Sequence, residues 1–167
     1  MEKLGNAARF RIFEDEDSKV LYLCPCSSLD VLSERITTSS PNFGLLLAID
    51  ARGVKNQDIW QAAEKLVAKG LVYLCVWGPE CERVHDSFDD TISERELDAG
   101  LESTDENVIM TTWHSEEPLS EALWFFINSA FPARAYEKTC KDWIIAPIGN
   151  SDWEQSLRAE IASTDLS

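Results

Sequence analysis

Cys81, His85 and His114 have the side-chain types and the spacing that a nucleophilic or metal site could use. Cys81 and His85 are four residues apart at the start of a predicted helix, so they share one helical face. His114 ends the next apolar run along the chain. A thiol near a helix N-terminus with an imidazole within reach is what a cysteine nucleophile needs. The same three side chains, joined by Glu80 or Glu116, could instead ligate zinc.

The surroundings of Cys81 oppose that chemistry. Residues 80–106 carry eleven acidic side chains against two basic ones, a net charge of −9 within the chain's −15. Nearby negative charges raise the pKa of a thiol and disfavour the reactive thiolate. The alternative interpretation is therefore a solvated acidic helix on which Cys81 and His85 are incidental.

Cys24 and Cys26 flank Pro25 at the end of a predicted strand, directly before a serine pair that could start a helix. Backbone N–H groups at a helix start favour anions and lower thiol pKa values, so this turn could be a redox pair or an anion cradle. The spacing is Cys-x-Cys rather than Cys-x-x-Cys, however, and no glycine-rich loop follows. The alternative is a tight strand-to-helix turn that holds two small, partly buried thiols.

Asp50 ends the second predicted strand, where dinucleotide-binding folds place an acidic residue for the ribose hydroxyls. The glycine-rich signature that holds the pyrophosphate is absent, so Asp50 as an anchor for the turn before Arg52 is the alternative. The chain also lacks a P-loop, a Gly-x-Ser-x-Gly elbow and a His-Glu-x-x-His motif. We therefore expect no cofactor and no metal site.

Residues 44–78 organise the predicted fold. Apolar runs at 44–50 and 71–77 flank a stretch with one apolar helical face, formed by Ile59, Ala62, Ala63, Leu66 and Val67. Strands that are apolar on both faces belong to a covered parallel sheet, so this stretch predicts a βαβ crossover. Further strands are predicted at 20–24, 108–113 and 143–148.

The predicted fold class is a three-layer α/β domain over residues 1–167, with a mostly parallel five-stranded sheet and helices on both faces. It resembles Rossmann-like and flavodoxin-like folds in class only. Alternation at Arg9–Phe13 predicts an additional N-terminal edge strand. Two capping boxes refine the helices: Ser93–Glu96 divides 80–106 into two short helices, and Ser151–Glu154 opens the last helix.

The composition of the chain argues against several classes of function. With 30 acidic and 15 basic side chains, most of the surface would repel a phosphate backbone, so we expect no nucleic-acid binding. No apolar run reaches the roughly 18 residues of a membrane span, and no secretory signal precedes the fold. Five cysteines, an odd number, resemble reduced cytosolic thiols. These features predict a cytoplasmic protein, and a basic protein is the natural partner.

Two surfaces could bind such a partner. Residues 80–106 are more acidic than solubility requires, and the helix after Pro118 is apolar nearly all round, which also suits a homodimer contact. The residues predicted to bind are Glu82, Asp86, Asp89, Asp90, Glu94, Trp124 and Phe125. The sequence therefore favours a non-catalytic protein-binding domain, such as an accessory, immunity or inhibitor-type subunit. The alternative is a small enzyme or nucleotide-binding domain with its site at the strand carboxyl ends, using Asp50, Cys81, His85 and His114.

Overall fold

A computed structural model of the chain describes residues 1–8 and 18–163. The strands within those residues are β1 (Glu2–Ala8), β2 (Ser18–Leu23), β3 (Asn42–Ala48), β4 (Leu71–Trp77), β5 (Met110–His114) and β6 (Cys140–Pro147). The helices are α1 (Leu29–Arg35), α2 (Asn56–Ala68), α3 (Cys81–Asp98), α4 (Leu119–Asn128) and α5 (Ser151–Ser163), with a 3-10 turn at Arg134–Tyr136. None of these helices combines the length and the apolar character that crossing a membrane requires.

The strands form one sheet in the order β1-β2-β6-β3-β4-β5. All neighbouring pairs are parallel except β1 and β2, so the predicted fold class is confirmed, including the additional N-terminal edge strand. That edge strand is Glu2–Ala8, whereas the predicted strand Arg9–Phe13 lies outside the described residues. The order β5-β4-β3-β6 corresponds to 3-2-1-4, the first four positions of the Rossmann strand order.

The helices cover both faces of the sheet because alternate strand residues point to opposite sides. Leu45 and Leu47 of β3 pack in the core beneath α1, α2 and α3. Leu46 and Ala48 pack in a second core beneath α4 and α5. Two apolar cores, one on each side of the sheet, give the three layers that the doubly apolar strands predicted.

The acidic stretch forms one helix, so the predicted division at Ser93 is wrong. Helix α3 runs for 18 residues without interruption. Phe88 and Ile92 bury one face up to the predicted break, and the Thr91 hydroxyl donates to the carbonyl of Ser87 within the helix. Because the backbone N–H groups there already have helical partners, Ser93 has no free donor to cap.

The last helix is also capped differently from the prediction. The side-chain oxygen of Asn150 accepts hydrogen bonds from the backbone N–H groups of Asp152 (3.0 Å) and Trp153 (3.1 Å). Ser151 is therefore the first residue inside α5 rather than its cap. At α1 the prediction is confirmed, because the Ser28 hydroxyl accepts from the N–H of Val31.

A buried lysine joins β2 to the end of α4. Lys19 is fully buried, and its Nζ donates to the carbonyls of Phe126 and Ala130, both at 2.6 Å. These carbonyls lie at the C-terminal end of the helix, where a positive charge is favourable. The ammonium group also lies 4.0 Å from the ring centroid of Trp143, which is fully buried on β6.

Gly44→Ala tests how tightly β6 packs on β3. A Cβ at Gly44 would lie 2.8 Å from Cδ2 of Trp143 and closer still to Cε3 and Cζ3. Because that ring is enclosed, we expect a loss of about 3 kcal/mol in the free energy of unfolding, the upper part of the overpacking range. Urea unfolding followed by circular dichroism measures it. Gly100→Ala is the control, since no atom lies within 4 Å and only its φ of +65° opposes the change, at about 1 kcal/mol. Equal losses in both variants would contradict the packing argument.

Candidate functional site

A cleft of about 790 Å³ opens at the carboxyl ends of β2, β3 and β6. Here β3 leads to α2 on one face of the sheet and β6 leads to α5 on the other, which is where open α/β sheets bind ligands. We call it the switch-point cleft; its walls include Ser27, Ser28, Asp50, Arg52, Asp58 and Gly149. Its volume is within the usual range for small-molecule sites.

Asp50 lies in this cleft but is engaged by its own loop. Its carboxylate accepts hydrogen bonds from Nε (2.9 Å), Nη2 (2.7 Å) and the backbone N–H (3.1 Å) of Arg52. These hydrogen bonds hold the pKa of Asp50 below its ordinary value. The residue therefore anchors the turn after β3, as the alternative interpretation of the sequence proposed.

The remaining lining of the cleft defines what it can hold. Its apolar side chains are Leu29, Ile49, Val54, Ala62 and Ile148, and its charged ones are Asp30, Asp50, Asp58 and Arg52. Three carboxylates against one guanidinium make the walls negative, and no glycine-rich loop provides a backbone cradle for phosphate. The cleft suits a small ligand with an apolar body and hydroxyl or amine groups better than a phosphorylated one.

Cys81, His85 and His114 do not form one cluster. His85 Nε2 lies 3.0 Å from the hydroxyl of Thr111, and His114 Nε2 lies 3.0 Å from that of Thr112. Because consecutive residues of β5 point to opposite faces, the two imidazoles lie on opposite sides of the sheet. Over residues 1–8 and 18–163, no three His, Cys, Asp or Glu side chains converge to hold a metal ion.

His85 is a buried histidine whose two nitrogens both have partners. Nδ1 lies 3.0 Å from a carboxylate oxygen of Asp86, and Nε2 lies near both Thr111 and Asp89. The Thr111 hydroxyl donates to Asp89, and the imidazole packs on the ring of Trp113 at 4.5 Å between centroids. This network joins α3 to β5, so His85 has a clear structural role.

Cys81 and His114 are enclosed as well. The Cys81 side chain is only 1% exposed, and burial raises the pKa of its thiol, with a smaller contribution from the charge of Glu82. His114 pairs through Nδ1 with Glu117, and its ring packs against Phe125 at 4.9 Å. A protonated thiol without a nearby free imidazole is a poor nucleophile.

The outer side of α3 is a stripe of carboxylates. Glu82, Asp86, Asp90 and Glu94 are exposed, while Asp89 is half-buried by its bond to Thr111. The two basic side chains of the stretch are engaged: Arg83 donates to Asn56 at 2.6 Å, and Arg95 to Glu64 at 3.5 Å. The negative charge of this face is therefore only weakly neutralised by its own neighbours.

The chain leaves α3 through a Schellman motif that positions an apolar side chain. Gly100 has a φ of +65°, its N–H donates to Leu97 O, and the N–H of Leu101 donates to Glu96 O at 2.9 Å. Leu101 remains 65% exposed beside a groove of about 530 Å³. We call it the acidic groove: its apolar side chains are Val67, Ile92, Leu101, Ile109 and Tyr136, and its carboxylates are Glu64, Glu94, Glu96, Asp98 and Glu102. Among its described lining residues, the one basic side chain is Arg95, which pairs with Glu64.

Trp124 and Phe125 lie away from the acidic stripe. Trp124 is 62% exposed on α4, which covers the face of the sheet opposite to α3. Phe125 is half-buried against His114 rather than presented to solvent. The two surfaces that the sequence analysis combined are therefore separated by the thickness of the sheet.

Sequence reasoning missed two exposed tryptophans beside α3. Trp60 and Trp113 are each 45% exposed. Trp60 borders a shallow depression that it shares with Glu82, Asp86 and Asp90. In the sequence, Trp60 is a large apolar side chain outside the apolar stripe of α2. Trp124 was predicted to bind a partner for the same reason, because it lies outside the stripe of its own helix. The exposure of Trp113 depends on β5 being the edge strand, which local periodicity does not reveal.

Comparison with known proteins identifies the family but no function. No curated protein matches the chain, and no solved structure matches it. A family model covers residues 20–164, which is most of the chain and extends from within β2 to the end of α5. The chain therefore belongs to the family described as Domain of unknown function (DUF7684).

Proposed function

We propose that this chain is a non-catalytic protein-binding domain, of the accessory, immunity or inhibitor type, whose partner presents a basic surface. The observation that supports the proposal is the acidic groove, which is lined by apolar side chains together with five carboxylates and one guanidinium, that of Arg95. Exposed apolar surface with a polar rim is the usual form of a protein-binding site. Its position at the end of α3 joins it to the carboxylate stripe of that helix.

The two components of this surface have different roles. Leu101 is exposed in the free chain, and burying such a side chain on binding contributes about 1.5–3 kcal/mol. The carboxylates attract a basic partner and exclude acidic ones, which changes the rate of encounter more than the final affinity. The groove therefore supplies the anchor, and the stripe supplies steering.

Trp60 extends the surface toward the N-terminal end of α3. It lines the same depression as Glu82, Asp86 and Asp90, together with Arg83, which is already engaged by Asn56. An arginine or lysine of the partner could contact the indole face and a carboxylate together, which is a favourable environment for a cation. Tryptophan and arginine are also the residues most enriched among binding hot spots. Helix α3 thus has an aromatic contact near one end and the acidic groove at the other.

A homodimer through this face is disfavoured by charge. Two copies would place like-charged stripes against each other, which costs free energy. The exposed Trp124 on the opposite face is the better surface for a second copy or for a second contact with the same partner. The two surfaces are separable by substitution.

The first prediction concerns association rate. The partner is identified by affinity capture from the native cell with the full chain as bait, followed by stopped-flow kinetics. We expect the combined variant Glu82→Gln, Asp86→Asn, Asp90→Asn and Glu94→Gln to lower the on-rate about tenfold at low salt. The wild-type on-rate should also fall as added salt brings the Debye length below roughly 10 Å. Asp89 stays unchanged because it holds Thr111.

A matched control carries the same change in net charge elsewhere. It replaces exposed acids outside the stripe: Glu34→Gln, Glu116→Gln, Glu121→Gln and Asp152→Asn. We expect a much smaller change in on-rate from this control, because charge position as well as net charge determines steering. The proposed function would be refuted if the on-rate changed neither with salt concentration nor in the stripe variant.

The second prediction concerns dissociation. Leu101→Ala should raise the off-rate about tenfold, since a loss of roughly 1.4 kcal/mol corresponds to a factor of ten. Leu97→Ala is the matched control, because Leu97 is 80% exposed and does not line the groove. Trp124→Ala in the same assay reports whether the partner also reaches α4. An off-rate that responds only to Trp124→Ala would assign the anchor to α4 and contradict the groove.

Small-molecule binding in the switch-point cleft is the second candidate function. Its support is the position of the cleft between β3 and β6, together with its apolar floor. The negative walls favour a nucleoside over a nucleotide as the ligand of a small enzyme or binding domain. Site residues contributed by the loops after β2, β3 and β6 would then replace the Cys81, His85 and His114 group.

The third prediction tests this cleft by thermal unfolding with adenosine and ATP as probes. A ligand at 100 times its Kd stabilises the native state by about 2.7 kcal/mol, a rise in Tm of roughly 5–10 °C for a chain of this size. We expect adenosine to raise Tm and ATP to have no effect. Ser27→Trp, which places a bulky ring at the mouth of the cleft, should abolish the shift, whereas Ser93→Trp on α3 should retain it. A larger shift with ATP would show that the charge argument is wrong.

A further inference from the structure

Cys24 and Cys26 form a thiol pair at the end of β2. Their Sγ atoms are 3.7 Å apart. The backbone holds both residues beside β6, because the N–H of Cys24 donates to Ile145 O at 2.8 Å and the N–H of Cys26 donates to Pro147 O at 3.1 Å. In this extended arrangement, residues two apart point to the same side of the strand. The sulfurs are therefore kept together by the sheet.

The two thiols differ in acidity. A hydrogen bond from Cys26 lowers the pKa of Cys24 to about 7, against the effect of burial, and the same contact raises the pKa of Cys26. The positive charge of Arg35, at the end of α1, also lowers the pKa of Cys24. One sulfur is thus ready to act as the thiolate, and its neighbour remains the proton-bearing partner. This division is typical of a reactive cysteine beside a resolving cysteine.

We propose that Cys24 and Cys26 are an oxidisable dithiol, in which hydrogen peroxide converts the pair into a disulfide directly before the serines that line the switch-point cleft. The sulfurs need to approach from 3.7 Å to about 2.05 Å. Cys24 is 1% and Cys26 is 6% exposed, so peroxide reaches them when the turn opens locally. The reaction is therefore slower than that of an exposed thiolate. Its product is the Cys24–Cys26 disulfide, because the two sulfurs are neighbours.

The reaction balances in two steps. The Cys24 thiolate attacks one oxygen of hydrogen peroxide; an S–O bond forms, the O–O bond breaks, and the departing hydroxide takes a proton to become water. Cys26 then loses its proton and attacks the sulfenic sulfur of Cys24, forming the S–S bond and releasing a second water. Two thiols lose two electrons in total, and one peroxide is reduced to two waters.

Oxidation would change the cleft because the pair lies directly before its wall. Ser27 and Ser28 follow Cys26 and line the cleft, and Ser28 also caps α1. A disulfide between residues two apart would restrict the turn from which both serines project. The redox state of the pair is thus coupled to the shape of the cleft, independently of the protein-binding surface on α3.

The other cysteines provide an internal control. Cys75, Cys81 and Cys140 are buried. Burial raises the pKa of Cys75 to about 12 and also raises that of Cys81. The same peroxide treatment should therefore leave these thiols reduced while the Cys24 and Cys26 pair reacts.

Peptide mass spectrometry tests the proposal on the full chain. The reduced protein is treated with hydrogen peroxide, alkylated and digested with trypsin, which releases residues 20–35 with both cysteines and no others. We expect this peptide to lose the mass of two hydrogens and to resist alkylation until dithiothreitol is added. Peptide 70–83, which holds Cys75 and Cys81, and peptide 139–141, which holds Cys140, should remain fully alkylated.

Two variants separate the steps. Cys26→Ser removes the resolving thiol, so Cys24 should stop at the sulfenic acid and be trapped by dimedone; Cys24→Ser should give neither product. The wild-type mass measurement stands even if a serine variant fails to fold. Full alkylation of peptide 20–35 after peroxide, oxidation of Cys75 or Cys81 first, or over-oxidation to a sulfinic acid without a disulfide would each overturn the proposal.

Discussion

The fold depends on the pairing of β6 with both β2 and β3. This strand is the last one in the described chain, yet it lies between the first parallel strand and the second. Until it is in place, β1 and β2 have no hydrogen-bonded connection to β3, β4 and β5. Asp142 of β6 also fixes the approach to β3, since its carboxylate accepts from the backbone N–H groups of Ser39 and Ser40 at 2.8 and 3.2 Å. Long-range pairing of this kind makes folding slower and the sheet cooperative.

The same insertion creates the chemical features of the carboxyl edge. Because the strands beside β6 send their chains to one face and β6 sends its chain to the other, the loops diverge and leave the switch-point cleft. The backbone of β6 continues past the sheet to hold Cys24, Cys26 and the cleft wall. The cleft is therefore a consequence of strand order, and β6 provides the backbone hydrogen-bond partners of both cysteines.

Local periodicity predicted the elements because each strand or helix has its own apolar pattern. The runs at 44–50 and 71–77 and the stripe of α2 correspond closely to β3, β4 and α2. Strand order was not predictable, since it depends on pairing between residues more than a hundred positions apart, such as Val20 of β2 with Asp142 of β6. The break at Ser93 was predicted wrongly because α3 is continuous through it, so the backbone N–H groups there already have helical partners and a capping side chain has no free donor to bond.

The candidate site residues divide according to burial. His85 and His114, which the sequence analysis grouped with Cys81, are buried, and their hydrogen-bond partners Thr111 and Thr112 lie on β5. Side-chain direction on β5 separates them, and a strand's parity relative to its neighbours is not readable from one sequence. Asp50 was placed correctly at the edge of the sheet, although its loop partner Arg52 determines its role as a turn anchor.

The charged side chains of the interior and of the surface have different roles, and the proposed function rests on those of the surface. The buried polar side chains in the described part of the chain, including Lys19, His85, His114 and Asp142, have partners and hold elements together. The unpaired charge is concentrated outside, on α3 and the turn after it, where it adds nothing to packing and opposes the compact state through self-repulsion. The Schellman motif also keeps the apolar side chain of Leu101 exposed to water, which is unfavourable in free energy. A surface that keeps both an exposed leucine and closely spaced carboxylates is disfavoured in the free protein, and a basic partner with an apolar side chain would relieve both penalties at once.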